Sequence, residues 1–359
     1  MHISALDLHQ FRNHPESHFE FSSSINCITG PNGSGKTNIL DAIYYLCMGK
    51  SHFQSTDSLS IQTGQYFFTL KGIFNDGKDV NEIFCGVKKG SKKVLKRNHI
   101  IYEKLSEHIG LLPVVITTPN DSELITGVSE ERRKYINAAL VQVSSEYLLK
   151  LQKYNHLLEQ RNAQLRNFDN NISQNLSILE IWDKQMQPLA HYIFEQRKNL
   201  CNELIRYFKN YYKILSSNVE RVELIYQSQL LETTYADGVK KAIKKDLALQ
   251  YSSFGIHRDD LQLIMDDMIV KKFSSQGQQK SFLLALRLAQ YRYLKEKTGI
   301  TPILLLDDIF DKLDDQRCSN LVAMLQSPDF GQVIITHTSA ERLQKMLQNN
   351  MTANFIAIN

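Results

Sequence analysis

Alternating apolar and polar residues near the N-terminus predict β-strands that lead into a glycine-rich turn. Ile3–Leu8 should form one strand and Phe19–Phe21 its antiparallel return, and the apolar run Ile25–Thr29 precedes the glycines. A helix is expected from about Thr37 to Met48. From Tyr66 to Ile101, β-branched and aromatic residues are interrupted by polar turns, which predicts the hairpins of a small antiparallel sheet.

The middle third of the chain has the composition and spacing of a helical lobe. The range 129–212 contains no glycine and a single proline, Pro188. A return helix should run from about Leu176 to Tyr212, after a polar turn at residues 169–171. The two helices would meet along an apolar seam of only about three heptads, which favours packing within the chain over a coiled coil with a partner. The seam residues are spaced alternately four and three apart: Tyr147, Leu151, Tyr154, Leu158, Arg161 and Leu165.

Towards the C-terminus the β/α pattern returns. A helix is predicted from Gly277 to Lys297, followed by apolar strands at Ile303–Leu306 and Val333–Thr336. The two ends of the chain should therefore build one α/β nucleotide-binding head, interrupted by the helical lobe. The expected boundaries are 1–128 and 251–359 for the two parts of the head and 129–250 for the inserted lobe.

Composition and charge exclude several classes of protein. With 359 residues, 42% of them apolar and 22% charged, the chain should fold into more than one lobe. The net charge of +4 permits nucleic-acid binding only through a local patch. The N-terminus lacks the features of a secretion signal, so a cytoplasmic protein is expected. A disulfide framework or zinc knuckle is not indicated, because the five cysteines are scattered: Cys27, Cys47, Cys85, Cys201 and Cys318.

The glycine-rich turn matches the phosphate-binding loop, G-x-x-x-x-G-K-[ST], in full. It follows a predicted strand and opens a predicted helix, which is the context that this loop needs. The glycines let backbone amides point at phosphate oxygens, Lys36 should reach the β and γ phosphates of ATP, and the hydroxyl of Thr37 should ligate Mg²⁺. The matching residues are Gly30, Pro31, Asn32, Gly33, Ser34, Gly35, Lys36 and Thr37.

Two consecutive carboxylates end the apolar strand at 303–306. Asp307 should emerge beside the Mg²⁺, and Asp308 is placed to orient or deprotonate the attacking water. Aspartates that merely cap a strand are the alternative, but the phosphate-binding loop earlier in the chain argues against it.

A second phosphate-binding surface is predicted at the start of the helix that follows Ser275. Ser275 and the amide of Gly277 would lie at the positive end of that helix. One chain can hardly close both surfaces on one nucleotide, so this segment is expected to cap ATP held by Lys36 of a second copy in a two-fold dimer. The alternative is an ordinary serine N-cap.

Motifs along most of the chain resemble those of a known group. The order of phosphate-binding loop, helical insertion, Ser-x-Gly-Gln signature, Asp-Asp strand end and x-x-Leu-Asp loop resembles the ABC-type ATPase heads of the SMC and Rad50 group, and the details resemble the RecF family of bacterial DNA-repair ATPases. These details are Phe11-Arg12-Asn13, Gly49-Lys50-Ser51-His52, Pro119-Asn120-Asp121-Ser122, Leu158-Glu159-Gln160-Arg161-Asn162 and Gly255-x-His257-Arg258-x-Asp260.

The resemblance implies a fold, an activity and partners. It implies a two-lobed P-loop head that dimerises on ATP, binds double-stranded DNA and gap junctions, and uses weak, DNA-stimulated ATP hydrolysis as a switch. It also implies a role with RecO and RecR in loading RecA during recombinational repair and replication-fork recovery. Within this chain the implied contacts are Arg12, Gly30 through Asn38, Ser275, Gly277, Gln278, Asp314 and His337 for ATP, Thr37 and Asp307 for Mg²⁺, and Lys36 and Asp308 for catalysis.

The sequence departs from the family pattern at a few positions. Phe53 stands where the family usually has an arginine, Ser129 and Ile256 replace prolines, and Asn137 replaces an aspartate. None of these is a phosphate or Mg²⁺ residue. His337 occupies the switch-histidine position, where a γ-phosphate sensor and a simple loop histidine are equally supported.

The densest basic run lies on a predicted hairpin, which we call the lysine hairpin, residues 88–97. No aromatic residues interleave with the charges, which favours contacts with a duplex backbone over a single-strand platform. A merely solvated hairpin tip is the equally weighted alternative. The candidate DNA contacts are Lys88, Lys89, Lys92, Lys93, Lys96 and Arg97.

Three functions compete at this stage. An ATP-gated DNA clamp accounts for the most motifs. A structural SMC-type protein would need a much longer coiled coil than about residues 147–212 provide. A transporter ATPase subunit should lack the motifs at 158–162 and 255–261, and it would need a membrane partner.

Overall fold

The computed structural model describes residues 1–77, 79–167, 172–216, 220–310, 313–347 and 353–358. Its strands are β1 (His2–Phe11), β2 (His14–Glu20), β3 (Ile25–Thr29), β4 (Phe67–Asn75), β5 (Val80–Lys88), β6 (Val94–Arg97), β7 (Ile100–Ile101), β8 (Val114–Thr117), β9 (Val222–Gln227), β10 (Asp260–Met265), β11 (Met268–Ile269), β12 (Ile303–Asp307), β13 (Val333–His337) and β14 (Ala353–Ala357). Its α-helices are α1 (Lys36–Met48), α2 (Glu123–Thr126), α3 (Ser129–Val143), α4 (Ser145–Arg166), α5 (Ile172–Ser216), α6 (Tyr235–Leu249), α7 (Val270–Phe273), α8 (Gln276–Thr298), α9 (Asp315–Leu325) and α10 (Ala340–Met346).

Residues cluster into two compact units. The first comprises Met1–Ser122, Tyr207–Val219 and Ser275–Asn359, and the second Glu123–Arg206 and Glu220–Ser274. These bounds differ from the expected insertion at 129–250. Strand β10 lies beyond residue 250 but pairs with β9, and rings at the end of α5 pack on α8, as shown by the Phe208 and Phe282 centroids 4.6 Å apart.

In the first unit, a six-stranded antiparallel sheet has the order β2-β1-β4-β5-β6-β7. Side chains alternate between the two faces along each strand, as the sequence pattern predicts. One face therefore carries buried side chains such as Leu6, Phe68 and Leu70. Helix α1 packs on this sheet through β4 and β5. The predicted return strand and the predicted hairpins are therefore present, joined into one sheet.

The first unit also contains a five-stranded parallel sheet in the order β14-β3-β13-β12-β8. Strands β3, β12 and β13 are buried along their whole length, as expected of strands covered on both faces. Because the strands are parallel, their carboxyl ends meet at one edge. That edge receives the loop after β3, Asp307 from β12 and His337 from β13.

The second unit combines helices with the small sheet β11-β10-β9. Helix α4 buries the predicted seam with one difference, since Leu157 is buried while Leu158 is half-buried. Helix α5 begins at residue 172 and carries Pro188 in its interior. The predicted turn at 169–171 lies outside the described residues.

Two arginines in the second unit are fully buried and paired. Arg161 contacts Asp183 at 2.7 Å and Asp246 at 2.8 Å, and its side chain is only 1% exposed. Arg197 contacts Asp259 at 2.7 Å. A buried guanidinium needs such partners, because leaving one member of the pair alone is strongly unfavourable.

Candidate nucleotide-binding site

The turn between β3 and α1 has the backbone geometry of a phosphate-binding loop. Gly33 and Gly35 have φ angles of 84° and 101°, in the left-handed region that favours glycine. At Gly35 a Cβ atom would also collide with the side chains of His14 and Asn13. The glycines therefore allow a close turn that leaves the amides at the start of α1 available to an anion.

Lys36 lies across this loop. Its Nζ donates hydrogen bonds to the carbonyl oxygens of Gly30 and Pro31, both at 2.8 Å. In the part of the chain that the structure describes, no carboxylate forms an ion pair with it. The hydroxyl of Ser34 is buried, also without a hydrogen-bond partner among those residues. A cation held by neutral carbonyls and an unsatisfied hydroxyl fit the phosphate chain of a nucleotide.

Thr37 and Asp307 meet at the same edge of the sheet. The Thr37 hydroxyl lies 3.0 and 2.9 Å from the two carboxylate oxygens of Asp307. Burial raises the pKa of Asp307, and hydrogen bonds from Thr336 and Thr37 oppose that rise. A hydroxyl and a carboxylate are oxygen ligands of the kind that Mg²⁺ prefers. The described residues contain no cluster of three or more His, Cys, Asp or Glu side chains suited to a metal, so Mg²⁺ here would also need phosphate oxygens and water.

The backbone of Asp308 is held in an unusual conformation. Its φ angle is 46°, and its N–H donates to the Thr336 hydroxyl at 3.0 Å. That hydroxyl in turn donates to Asp307 at 2.7 Å. The Oδ1 atom of Asp308 is buried and has no hydrogen-bond partner among the described residues. An acceptor kept unsatisfied beside the phosphate-binding loop suits a group that orients water.

The structure places His337 at the end of β13 with its ring buried. Its Nδ1 accepts a hydrogen bond from the Ser339 amide at 2.8 Å. In the neutral imidazole the proton then lies on Nε2, which makes that atom a donor. This tautomer is the one that a γ-phosphate sensor would need.

Arg12 reaches α1 through a polar cluster. Its guanidinium donates to Asn38 at 2.8 Å, to Ser51 at 3.0 Å and to buried Asp41. The ring of Phe53 lies 5.6 Å from its Cζ atom. Phe53, which stands where the family usually has an arginine, therefore covers Arg12 by a cation–π contact. Arg12 lies beside the loop, held mainly by protein partners.

The signature segment opens α8 with a capping box. The Ser275 hydroxyl accepts from the Gln278 amide at 3.2 Å, and the Gln278 side chain accepts from the Ser275 amide at 2.7 Å. Ser275 is therefore the N-cap of α8, and the capping box leaves its predicted role in binding ATP of a second copy untested. A Cβ on Gly277 would press on Arg317, which is bound to Asp314 at 2.9 Å. The signature and the Asp314 loop therefore adjoin; Asp311 and Lys312 of that loop lie outside the described residues.

Some cations of the lysine hairpin are exposed, and others have partners within the chain. Lys88, Lys89 and Lys92 are exposed. Lys93 has partners within the chain, because its ammonium donates to Gly49 at 2.6 Å and to Asp57 at 2.8 Å. The other two cations are partly occupied, since Lys96 lies 5.4 Å from the ring of Phe84 and Arg97 donates to Asn81 at 2.8 Å.

Sequence reasoning missed residues whose role depends on distant neighbours. The Thr336 hydroxyl donates to the Asp307 carboxylate and accepts from the Asp308 backbone N–H, which only the pairing of β12 with β13 reveals. Arg287 on α8 forms a buried bidentate pair with Asp121 at 2.8 and 2.9 Å. Asp121 also lines a cavity of about 280 Å³, together with Gln276 and Lys280. The Pro119–Ser122 motif was the only sequence signal for this contact.

The fold and the site together define a P-loop ATPase of the ABC type, and a family model described as an AAA domain matches residues 5–248. The chain is 43% identical over 349 residues to the DNA replication and repair protein RecF of Flavobacterium johnsoniae, covering 97% of each chain. It is 38% identical to the RecF of Bacteroides fragilis strain ATCC 25285, covering 97% of this chain and 93% of that one. The chain belongs to the RecF family.

Solved structures agree with this assignment. A structure of the recombination mediator protein RecF-ATPrS in the RecFOR pathway matches with a TM-score of 0.88 and 28% identity, covering 100% of this chain and 97% of that chain. A Pyrococcus furiosus Smc head domain matches with a TM-score of 0.56 and 18% identity, covering 100% and 94%, which concerns the fold alone. Among the described helices, none has the length and apolar character needed to cross a membrane.

Proposed function

We propose that the chain is an ATP-operated switch that binds DNA during recombinational repair and replication-fork recovery. Binding of ATP with Mg²⁺ joins two copies, the joined form holds double-stranded or gapped DNA, and slow hydrolysis separates the copies. Membership of the RecF family supports the repair role. With RecO and RecR, the joined form would help to load RecA.

The observation that carries the proposal is the convergence of polar groups at one edge of the parallel sheet. Lys36, the Thr37–Asp307 pair and Asp308 come from elements far apart in sequence. Bound ATP would supply the phosphoryl group and further oxygen ligands for Mg²⁺. Lys36 would hold phosphate charge, Thr37 and Asp307 would hold Mg²⁺, and Asp308 would orient water.

The dimer follows from the signature segment. The start of α8 offers backbone amides with a positive helix end, and Ser275 and Gln278 fix its geometry through the capping box. In the proposed dimer this end faces the phosphates held by Lys36 of the second copy. ATP then lies between two copies, so nucleotide binding and association become one equilibrium.

A structural SMC-type role has less support. Helix α4 has 22 residues, about 33 Å at 1.5 Å per residue, and its seam side chains are buried within the second unit. Helix α4 thus packs within a folded unit.

The proposal is tested by sedimentation and by fluorescence anisotropy of a labelled gapped duplex, with and without ATP and Mg²⁺ at one stated salt concentration. The intact chain should dimerise and bind DNA more tightly with nucleotide. Lys36→Ala should lose ATP binding, dimerisation and the ATP-dependent gain in DNA affinity. Lys153→Ala, an exposed lysine of the second unit, is the control. Normal ATP-driven dimers of Lys36→Ala would refute the shared site.

A further inference from the structure

The turn between β1 and β2 lies against the phosphate-binding loop. His14, the first residue of β2, is buried, and its Nε2 atom lies 3.2 Å from the carbonyl oxygen of Gly35. One residue earlier, the Nδ2 atom of Asn13 donates to the carbonyl oxygen of Gly33 at 3.3 Å. Two consecutive side chains of this turn therefore bind carbonyl oxygens of the loop.

The contact with Gly35 fixes the tautomer of the His14 ring. A carbonyl oxygen only accepts hydrogen bonds, so Nε2 must carry the proton. The other nitrogen, Nδ1, then accepts from the Ser17 hydroxyl, which lies 3.1 Å away. Burial lowers the pKa of His14, and the hydrogen bond with Gly35 opposes that change, so the ring is neutral near pH 7. The neutral ring has one donor, and that donor is directed at the loop.

The Gly35 carbonyl matters because it shares a planar peptide group with the N–H of Lys36. In a trans peptide the two groups point in opposite directions, so a side chain that holds the oxygen also sets the direction of the N–H. Lys36 is the first residue of α1, and the first amides of a helix have no partner within the helix and favour anions. His14 therefore acts, through a single peptide group, on an amide at the phosphate-binding end of α1.

The loop benefits from an outside contact because its glycines restrain it little. Glycine has more conformational freedom than any other residue, and Gly35 has a φ angle of 101°. Its carbonyl also accepts from the amides of Asn38 and Ile39 at 2.9 and 3.1 Å, so its orientation sets the start of the helix. Holding such a loop in its binding conformation before the ligand arrives lowers the ordering cost of binding.

We propose that His14 is a positioning residue for ATP, whose Nε2–H holds the Gly35 carbonyl so that the Lys36 amide points towards the phosphate chain. This inference rests on the ATP binding proposed above, and it assigns a role to a side chain outside the glycine-rich loop. The competing role is packing alone, since the His14 ring also meets that of Phe19 edge to face at 6.1 Å.

Two substitutions separate the hydrogen bond from packing. His14→Phe keeps a ring and removes the donor, whereas His14→Gln removes the ring and can place an amide N–H near the position of Nε2. His14→Phe should weaken binding of a fluorescent ATP analogue, with Mg²⁺, by roughly five- to ten-fold, and His14→Gln should stay within about three-fold of the intact chain. His18→Phe changes an exposed histidine of the same strand and is the matched control.

The outcomes separate this inference from the proposed function. Failure of the intact chain to bind the analogue would overturn the proposed function itself. If the intact chain binds, an unchanged affinity of His14→Phe, or a His14→Gln variant that binds no better than His14→Phe, would overturn the inference alone and leave His14 a packing residue. Thermal melting without nucleotide shows whether each variant folds. Should His14→Phe not fold, His14→Gln decides: affinity within about three-fold of the intact chain supports the hydrogen bond, and a larger loss overturns it.

Discussion

Buried charges at the phosphate edge of the first unit differ in their partners from the buried ion pairs found in the second unit and, as with Arg287 and Asp121, elsewhere in the first. In the second unit, Arg161 and Arg197 are matched side chain to side chain with aspartates at 2.7–2.8 Å. At the phosphate edge of the first unit, Lys36 has only backbone carbonyls, and an oxygen of Asp308 has no partner among the described residues. Each guanidinium of the second unit thus has a carboxylate of this chain as its partner, even though Arg161 Nη2 and Asp259 Oδ1 make no hydrogen bond among the described residues, whereas Lys36 has no carboxylate partner there.

The difference distinguishes charges that maintain the fold from charges to which we assign a role in binding and hydrolysis. Removing one member of a buried ion pair destabilises the folded protein, because the other charge stays buried without a partner. A group held ready for a ligand contributes little to the fold and is tolerated because binding or catalysis needs it. Variants of the two groups should therefore differ in which property they lose.

The largest effect is expected for Arg161→Met. The change leaves buried Asp246 and half-buried Asp183 without their cation, so the free energy of unfolding should fall by about 3–5 kcal/mol. Urea denaturation followed by circular dichroism measures this loss. Below the transition the variant should still bind ATP.

The matched variant in the first unit is Lys36→Ala, which should change the free energy of unfolding by less than about 1 kcal/mol in the absence of nucleotide. Equal losses for Lys36→Ala and Arg161→Met would contradict the distinction between the two regions. Neutralising the unpaired carboxylates, by adding Asp183→Asn and Asp246→Asn to Arg161→Met, should recover part of the lost stability.

Asp308→Asn should reduce the rate of ATP hydrolysis by about 100-fold or more, since the amide cannot accept a proton from water. Binding of ATP and dimerisation should persist, because Lys36, Thr37 and Asp307 are unchanged. Single-turnover hydrolysis and sedimentation with ATP measure the two properties. A variant that hydrolyses ATP normally, or that fails to dimerise, would contradict the proposal that Asp308 orients the attacking water.

The smallest effects are expected for single lysines of the lysine hairpin. Lys93→Ala breaks the contacts with Asp57 and Gly49, so it should cost about 1 kcal/mol of stability with little change in DNA affinity. Lys89→Ala should leave stability within about 0.5 kcal/mol and lower the salt slope of DNA binding by about 1. Thermal melts and anisotropy across a salt series distinguish the two. The reverse pattern would mean that Lys93 faces DNA.

Local sequence signals predicted the core of the head well. The bounds of β3 are those expected, and α1 begins one residue before the predicted Thr37. Strand β12 extends the predicted strand to Asp307. These elements carry strong local information: a continuous apolar run and a glycine-rich turn.

The features that could not be predicted from the sequence depend on strand pairing and on contacts between residues far apart in the chain. Strands β8 and β14 flank the parallel sheet without a distinctive pattern of their own. The bounds of the second unit depend on pairing between β9 and β10, and the environment of Lys93 depends on Asp57 from another segment. The roles of the site residues in binding and catalysis stay predictions that the variants above test.

The connectivity of the parallel sheet has a consequence for how the protein is made. Strand β3, which leads into the phosphate-binding loop, lies between β13 and β14, and Ile25 pairs with both Val333 and Ala353. On a ribosome the loop therefore emerges long before either neighbour of its strand. Contacts of such sequence separation close late and slow folding. A chain cut short before β13 should acquire much of its helical structure and still be unable to hold a nucleotide. We therefore expect incomplete products of synthesis to be inactive.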